Sequence, residues 1–233
     1  MFEPVKIAPS ILSADFMSLG RDIAMIEEAG AGYVHFDVMD GHFVPNLTIG
    51  VPVLKQLKKI ARIPVDVHLM IANPLEELPW FLDAGADIVT VHAEAFDGPE
   101  QMEQAIHLIK EAGAKASVSV KPNTPVDAIA GVVPLLDMAL IMSVEPGFSG
   151  QKYIEGSEAK VAQVVQIARA AGHELEIEVD GGIGVATAPG VAAAGADVLV
   201  CGNAVFAAQD PAAALRAVQQ AADDARLLAL AGA

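Results

Sequence analysis

Apolar and β-branched residues along this chain come in short runs, and several runs follow a helix-like stretch that ends in Ala-Gly. Glu28-Ala29-Gly30 precedes Tyr33-Val34-His35-Phe36, Asp83-Ala84-Gly85 precedes Ile88-Val89-Thr90-Val91, and Glu111-Ala112-Gly113 precedes Ala116-Ser117-Val118. Ala170-Ala171-Gly172 precedes Leu175-Glu176-Ile177, and Ala193-Ala194-Gly195 precedes Val198-Leu199-Val200. Glycine just past a helix accepts a left-handed backbone that other residues resist, so each copy reads as a helix stop followed by a strand start. These glycines lie 55, 28, 59 and 23 residues apart, which fits a unit of about 28 residues with two copies disguised.

The pattern predicts strands at Lys6–Ile11, Tyr33–Val38, Pro64–Leu69, Ile88–His92, Ala116–Val120, Met138–Met142, Leu175–Val179 and Val198–Cys201, with helices between them. Strands alternating with helices make a parallel sheet. Eight such units predict an α/β fold, a single (β/α)8 TIM barrel with parallel strands, taking residues 1–233 as one domain. The rival, an open doubly wound sheet, calls for a Gly-x-Gly-x-x-Gly turn after its first strand, and none is present. The Ala-rich stretch from Pro211 to Ala233 predicts a closing helix.

Period-two alternation shows where polar groups enter the barrel. In the second strand Val34, Phe36 and Val38 share one face, and His35, Asp37 and Met39 the other. In the third, Val65, Val67 and Leu69 oppose Asp66, His68 and Met70. In the seventh, Ile177 and Val179 oppose Glu176, Glu178 and Asp180. Helices cover the apolar faces, so the polar faces point inward, where branched apolar residues normally sit and where unpaired charge is costly. His35, Asp37, His68 and Asp180 fall at or near the C-terminal strand ends, the catalytic end of such barrels. Two imidazoles and two carboxylates form a donor set suited to one divalent metal ion: zinc, iron, manganese or cobalt. His92 faces inward with Thr90 and Glu94 and is expected to stand behind that set. His42 belongs to a loop, and His107 and His173 read as helix or helix-end surface residues.

The total charge narrows the partners. The 233 residues carry 30 acidic and 14 basic side chains, a formal charge of −16, which disfavours nucleic acid and anionic membrane surfaces. With 53% hydrophobic and 19% charged residues the chain is not a disordered one. The longest uncharged stretch, Gly181 to Ala196, is too short and too broken to span a bilayer. Met1 to Lys6 shows no basic region followed by an apolar run, so no signal peptide is expected, and the lone Cys201 suits a reducing, cytoplasmic setting. An anionic ligand must then be held by backbone dipoles or a metal. Glycine clusters after the last three strands offer such dipoles: Pro146-Gly147-Phe148-Ser149-Gly150, Asp180-Gly181-Gly182-Ile183-Gly184 and Cys201-Gly202-Asn203. Met39, Met70 and Met142 ring the same mouth, either as core filler or as an apolar wall around a ligand.

Five stretches together carry a resemblance: Ala8-Pro9-Ser10-Ile11-Leu12-Ser13-Ala14-Asp15-Phe16, His35-Phe36-Asp37-Val38-Met39-Asp40-Gly41-His42-Phe43-Val44-Pro45-Asn46, Asp66-Val67-His68-Leu69-Met70, Val144-Glu145-Pro146-Gly147-Phe148-Ser149-Gly150-Gln151 and Val179-Asp180-Gly181-Gly182-Ile183. In order, over about residues 6–210, the chain resembles the ribulose-phosphate 3-epimerases. The resemblance implies a β/α barrel that interconverts D-ribulose 5-phosphate and D-xylulose 5-phosphate in the pentose phosphate pathway. It places metal ligands at His35, Asp37, His68 and Asp180, and acid/base carboxylates at Asp37 and Asp180. It places substrate contacts at Ser10 and His68, a methionine wall at Met39, Met70 and Met142, and phosphate-side loops at Gly147, Phe148, Ser149, Gly150, Gly181, Gly182, Gly202 and Asn203. It also implies a homo-oligomer and no organic cofactor. Two positions depart from the family pattern: Ser149 replaces a usual glycine and is expected to stiffen its loop, and Asn203 stands where serine is frequent.

Inverting a carbon beside a ketone needs one acid/base group on each face of the substrate, which two opposed carboxylates supply. The loops Asp40–Gly50 and Gly147–Gly150 are expected to close over the substrate. Three other readings stay open at this point. One is an epimerase of six-carbon ketose phosphates. Another is a decarboxylase or aldolase on the same barrel, although the Asp-x-Lys-x-x-Asp run of the related decarboxylases is absent. The third is a non-catalytic sugar-phosphate sensor.

Overall fold

The structure, a computed structural model, describes residues 2–232. Among them the strands are β1 (Lys6–Pro9), β2 (Val34–Met39), β3 (Val65–Met70), β4 (Ile88–His92), β5 (Lys115–Val120), β6 (Met138–Met142), β7 (Glu176–Asp180) and β8 (Val198–Cys201). The helices between and after them are α1 (Leu19–Ala29), α2 (Val51–Leu57), α3 (Pro74–Asp83), α4 (Pro99–Glu111), α5 (Asp127–Ala130), α6 (Ser157–Ala170), α7 (Ala188–Ala194), α8 (Asn203–Phe206) and α9 (Pro211–Ala231).

Neighbouring strands are parallel, in the order β1-β8-β7-β6-β5-β4-β3-β2. At the seam between β1 and β2, the Gly32 N–H donates to the Ile7 carbonyl at 2.9 Å and Ser10 bridges to His35. The result is a nearly closed (β/α)8 barrel, as the strand pattern predicts. The five Ala-Gly glycines, Gly30, Gly85, Gly113, Gly172 and Gly195, have φ of 100°, 90°, 84°, 64° and 115°. The two joints without that signature follow α2 and α5, of seven and four residues, which leave the helical path through other turns. Prolines 52, 74, 99, 189 and 211 occupy first helical turns, where a missing N–H costs nothing.

Strands β4, β6 and β8 coincide with the expected ranges, β2, β3 and β7 run one residue later, and β5 starts one earlier. The first strand needs a larger correction: it stops at Pro9. The Ser10 side chain accepts the Leu12 N–H at 3.3 Å and caps a 3-10 turn over Ile11–Ser13, whose buried Ile11 mimics a strand residue. The Ala-rich C-terminal stretch is helix α9 as far as Ala231, Ala233 lying outside the described residues; it is anchored just before β1 by Asp223, which accepts the Val5 N–H at 2.7 Å. Among the described residues no helix is long and apolar enough to cross a membrane.

Alternation sorts the core into two compartments. Val34, Phe36, Val38, Val65, Val67, Leu69, Ile177 and Val179 are buried against the helices. Inside the barrel Ala8, Tyr33, Ile88, Met138, Val198 and Val200 form an apolar plug that runs from the N-terminal strand ends up to Val200, beside Asp180. Below this plug Glu176 gathers Lys6, Tyr33 and Lys115: the tyrosine hydroxyl donates to Oε1 at 3.0 Å and Lys115 Nζ lies 3.2 Å from Oε2. Burial alone would raise the Glu176 pKa, but the hydrogen bond and charge of Lys6, then Lys115, outweigh it and hold the carboxyl below its ordinary value of 4.5. A carboxylate depressed in the folded state stabilises above its unfolded pKa and loses that contribution as pH falls through the folded one. Glu176→Gln is therefore expected to cost about 1–2 kcal/mol at neutral pH, or about 2–8 °C in Tm. In paired melts from pH 7 to pH 3 the gap should close on acidification; a gap independent of pH would contradict the ion-pair account.

Candidate active site

The mouth at the C-terminal strand ends is built by register. Asp37 lies beside His68 across β2 and β3, His35 beside Asp66, and Met39 beside Met70. On the far side Met142 lies beside Asp180, and Asp180 beside Val200. Because side chains alternate, these polar residues all take inward positions: His35, Asp37, His68 and Asp180 converge on one point, and Asp66 stands behind His35. One ligand atom each from His35, Asp37, His68 and Asp180 lies within 4.8 Å of the others. The Asp37 Oδ1 atom is 3.3 Å from His35 Nε2 and 3.2 Å from His68 Nδ1, and Asp180 Oδ2 is 3.9 Å from His68 Nδ1. The Ser10 hydroxyl donates to the second oxygen, Asp37 Oδ2, at 2.5 Å.

The electrostatics follow from burial and crowding. Burial alone would lower His35, but the Asp37 and Asp66 carboxylates raise it well above its ordinary value. Burial would raise Asp37, yet the His35 charge and its hydrogen bonds with both histidines hold it well below the usual range. Asp180 lacks such support: burial, then the Asp37 charge, push it up to about 6. Deeper in the barrel Glu178 is wholly buried between His35 and Asp66, and burial followed by the Asp66 charge raises it well above the ordinary carboxyl value. The four residues fit a cation. His35 Nδ1 is committed to Asp66 Oδ2 at 2.6 Å, while its Nε2 is buried, aimed at Asp37 and without a hydrogen bond. A ligating imidazole has this form: one nitrogen ordered by a carboxylate, the other left bare. The cluster is thus able to bind a metal ion.

Above it opens a cavity of about 390 Å³. Ser10, Asp37, Met39, Met70, Met142, Asp180 and the expected glycine-loop residues Gly147, Phe148, Ser149, Gly150, Gly181, Gly182, Gly202 and Asn203 all line it. The two histidines of the cluster lie wholly buried beneath. Gly182 shows why these turns need glycine. Its φ is +63°, and a Cβ there would stand 2.4 Å from the Tyr153 backbone nitrogen. The Ser149 hydroxyl meets Ser13 Oγ at 2.6 Å and donates to Asn203 Oδ1 at 3.3 Å.

The two rim loops are joined: the Asn46 side-chain amide donates to the Gly147 carbonyl at 2.8 Å. Neither that bond nor Ser13 is visible as a site feature in the sequence, because both arise where separate loops meet. Leu12, Val144 and Thr187 also line the cavity without a prior signal. His92 stands behind His68, as its inward position suggests. His107 is exposed, and His173 is half-buried with Nε2 2.6 Å from the Leu136 carbonyl, so neither joins the site.

Fold and site together define a β/α barrel with a cavity above a His/Asp cluster able to bind a metal ion. The model of the Ribulose-phosphate 3 epimerase family matches residues 6–206. The chain is 49% identical over 207 residues to Ribulose-phosphate 3-epimerase of Bacillus subtilis (strain 168), covering 88% of this chain and 94% of that one. It is 48% identical over 221 residues to Ribulose-phosphate 3-epimerase of Mycobacterium tuberculosis (strain ATCC 25618 / H37Rv), covering 95% and 94%. The chain belongs to the ribulose-phosphate 3-epimerase family. Among solved structures KGPDC from Streptococcus mutans matches with a TM-score of 0.69 at 14% identity, covering 95% of this chain and 99% of that one, a likeness of fold.

Proposed function

We propose that this chain interconverts D-ribulose 5-phosphate and D-xylulose 5-phosphate by proton transfer at C3. Asp37 and Asp180 are the two acid/base groups, and His35, Asp37, His68 and Asp180 would hold one divalent cation. The observation that carries this reading is the convergence of those four side chains within 4.8 Å beneath a cavity of about 390 Å³, in a chain of this family. That volume lies within the range of small-molecule sites, about 300–1,000 Å³.

In this reading the two aspartates divide the work. The C3 proton leaves to one aspartate while the other delivers a proton to the opposite face, and the roles exchange in the reverse direction. Asp37 is fixed for this by the Ser10 hydroxyl on one oxygen and by His35 and His68 beside the other. When bound, the cation would supply positive charge beside the C2 oxygen as an ene-diolate develops. Backbone amides of the turns at Gly181–Gly182 and Gly202–Asn203 suit the phosphate, which holds C3 between the acids. Met39, Met70 and Met142, all nearly fully buried, supply an apolar wall that limits water.

The test is isotopic. D-ribulose 5-phosphate incubated with the chain in D₂O should gain deuterium at C3 as D-xylulose 5-phosphate appears, read by NMR. Six-carbon ketose phosphates should turn over far more slowly. No exchange into either class would reject an epimerase, and faster turnover of the hexulose phosphate would reject the pentulose assignment.

A further inference from the structure

The mechanism above leaves a buried polar chain unused. His92 ends β4 with no exposed surface. Its Nε2 lies 2.9 Å from His68 Nε2, and the two rings stack with centroids 5.0 Å apart at 27°. Its Nδ1 lies 3.2 Å from Glu94 Oε2. The other oxygen of Glu94, Oε1, accepts the Lys121 backbone N–H at 2.7 Å. Phe43 covers the assembly, its ring centroid 4.8 Å from that of His92.

We propose that Glu94 and His92 are positioning residues that order the proton on His68, so that His68 offers Nδ1 and not Nε2 to the cation. This rests on the cation assignment above.

Two imidazole nitrogens 2.9 Å apart share a single proton, because two lone pairs repel and two N–H groups collide. Which ring owns it is decided at the far end of the chain. A carboxylate only accepts, so Glu94 Oε2 requires an N–H on His92 Nδ1. A neutral His92 then has a bare Nε2, which must accept from His68 Nε2–H. The remaining nitrogen of His68, Nδ1, is the one that faces Asp37 Oδ1 at 3.2 Å and Asp180 Oδ2 at 3.9 Å, and a proton that it lends Asp37 in the metal-free site is the one the cation displaces. The logic mirrors His35, where Asp66 occupies Nδ1 and leaves Nε2 for the cluster. The two ligand histidines therefore present opposite nitrogens, each ordered by a carboxylate, directly for His35 and through a second imidazole for His68.

Two readouts independent of turnover test this. In zinc-loaded, ¹⁵N-labelled wild-type chain, long-range ¹H–¹⁵N spectra should show His68 protonated at Nε2 and zinc-bound at Nδ1; the reverse pattern overturns the proposal. In chelator competition, Glu94→Met, which has no oxygen to accept from His92, and His92→Phe should bind zinc about 10- to 100-fold more weakly than wild type. Wild-type affinity in both folded variants overturns the proposal. Should His92→Phe fail to fold, Glu94→Met decides alone, since that side chain reaches solvent at 21% exposure and methionine keeps its length without an acceptor oxygen. A wild-type chain that binds no zinc would defeat the cation assignment, and the metal-free spectrum then decides the ordering. A proton on His68 Nε2 supports it, and a proton on Nδ1 alone overturns it.

Discussion

Asp37→Asn and Asp180→Asn are each expected to lower kcat for epimerisation by about 100- to 10,000-fold, the range over which a positioned acid or base contributes. Both changes preserve shape. An asparagine at position 37 can still accept the Ser10 hydroxyl through its carbonyl oxygen, a bond now 2.5 Å long, so circular dichroism should keep the wild-type form; Tm should fall, because the charge that faces His35 and His68 is gone. What each variant lacks is a group that takes or gives a proton at C3. If the two aspartates serve opposite faces, the variants should differ in a second way. Each should retain slow C3 exchange with D₂O for one epimer, the one its surviving acid can deprotonate, while losing conversion between epimers. The retained epimer should be opposite in the two variants. Near-native turnover in both would reject the two-acid scheme, and loss of exchange for the same epimer in both would reject the assignment of one acid to each face.

The sequence makes the barrel legible for a local reason. A left-handed glycine after a helix is demanded by that joint alone, so Gly30, Gly85, Gly113, Gly172 and Gly195 announce five of the eight units without tertiary information. Strand ends are less legible because alternation says which face a residue takes and not where pairing stops. At Ser10 a side-chain cap bends the backbone away from the sheet although Ile11 remains buried. Inward polarity made His35, Asp37, His68 and Asp180 visible, since a carboxylate or imidazole inside a barrel calls for a partner. Contacts between loops were not legible. The bond from Asn46 to Gly147 spans 101 positions and depends on how two turns fold over the rim. Ser149 illustrates both sides: its departure from the family pattern is plain in the sequence, but its hydroxyl partners, Ser13 and Asn203, emerge only in three dimensions.

Removing divalent cations with a chelator is expected to abolish turnover, and adding back zinc, iron(II), manganese or cobalt should restore it to differing degrees. The fold gives a reason beyond chemistry. His35 and His68 have no exposed surface and Asp37 is only 4% exposed, so four ionisable groups are held together with little water to screen them. Such a cluster is costly unless a charge of opposite sign or a proton compensates it. A ligand that binds only the folded chain stabilises it by about 2.7 kcal/mol at 100 times its Kd. For a chain of this size each kcal/mol moves Tm by about 2–4 °C, so saturating cation should raise Tm by about 5–11 °C. Glu94→Met should show a smaller rise at the same metal concentration if its affinity is weaker. Full activity after verified stripping would remove the cation from the reaction. Loss of activity without any Tm response to metal would mean that the ion acts elsewhere than at the cluster of His35, Asp37, His68 and Asp180.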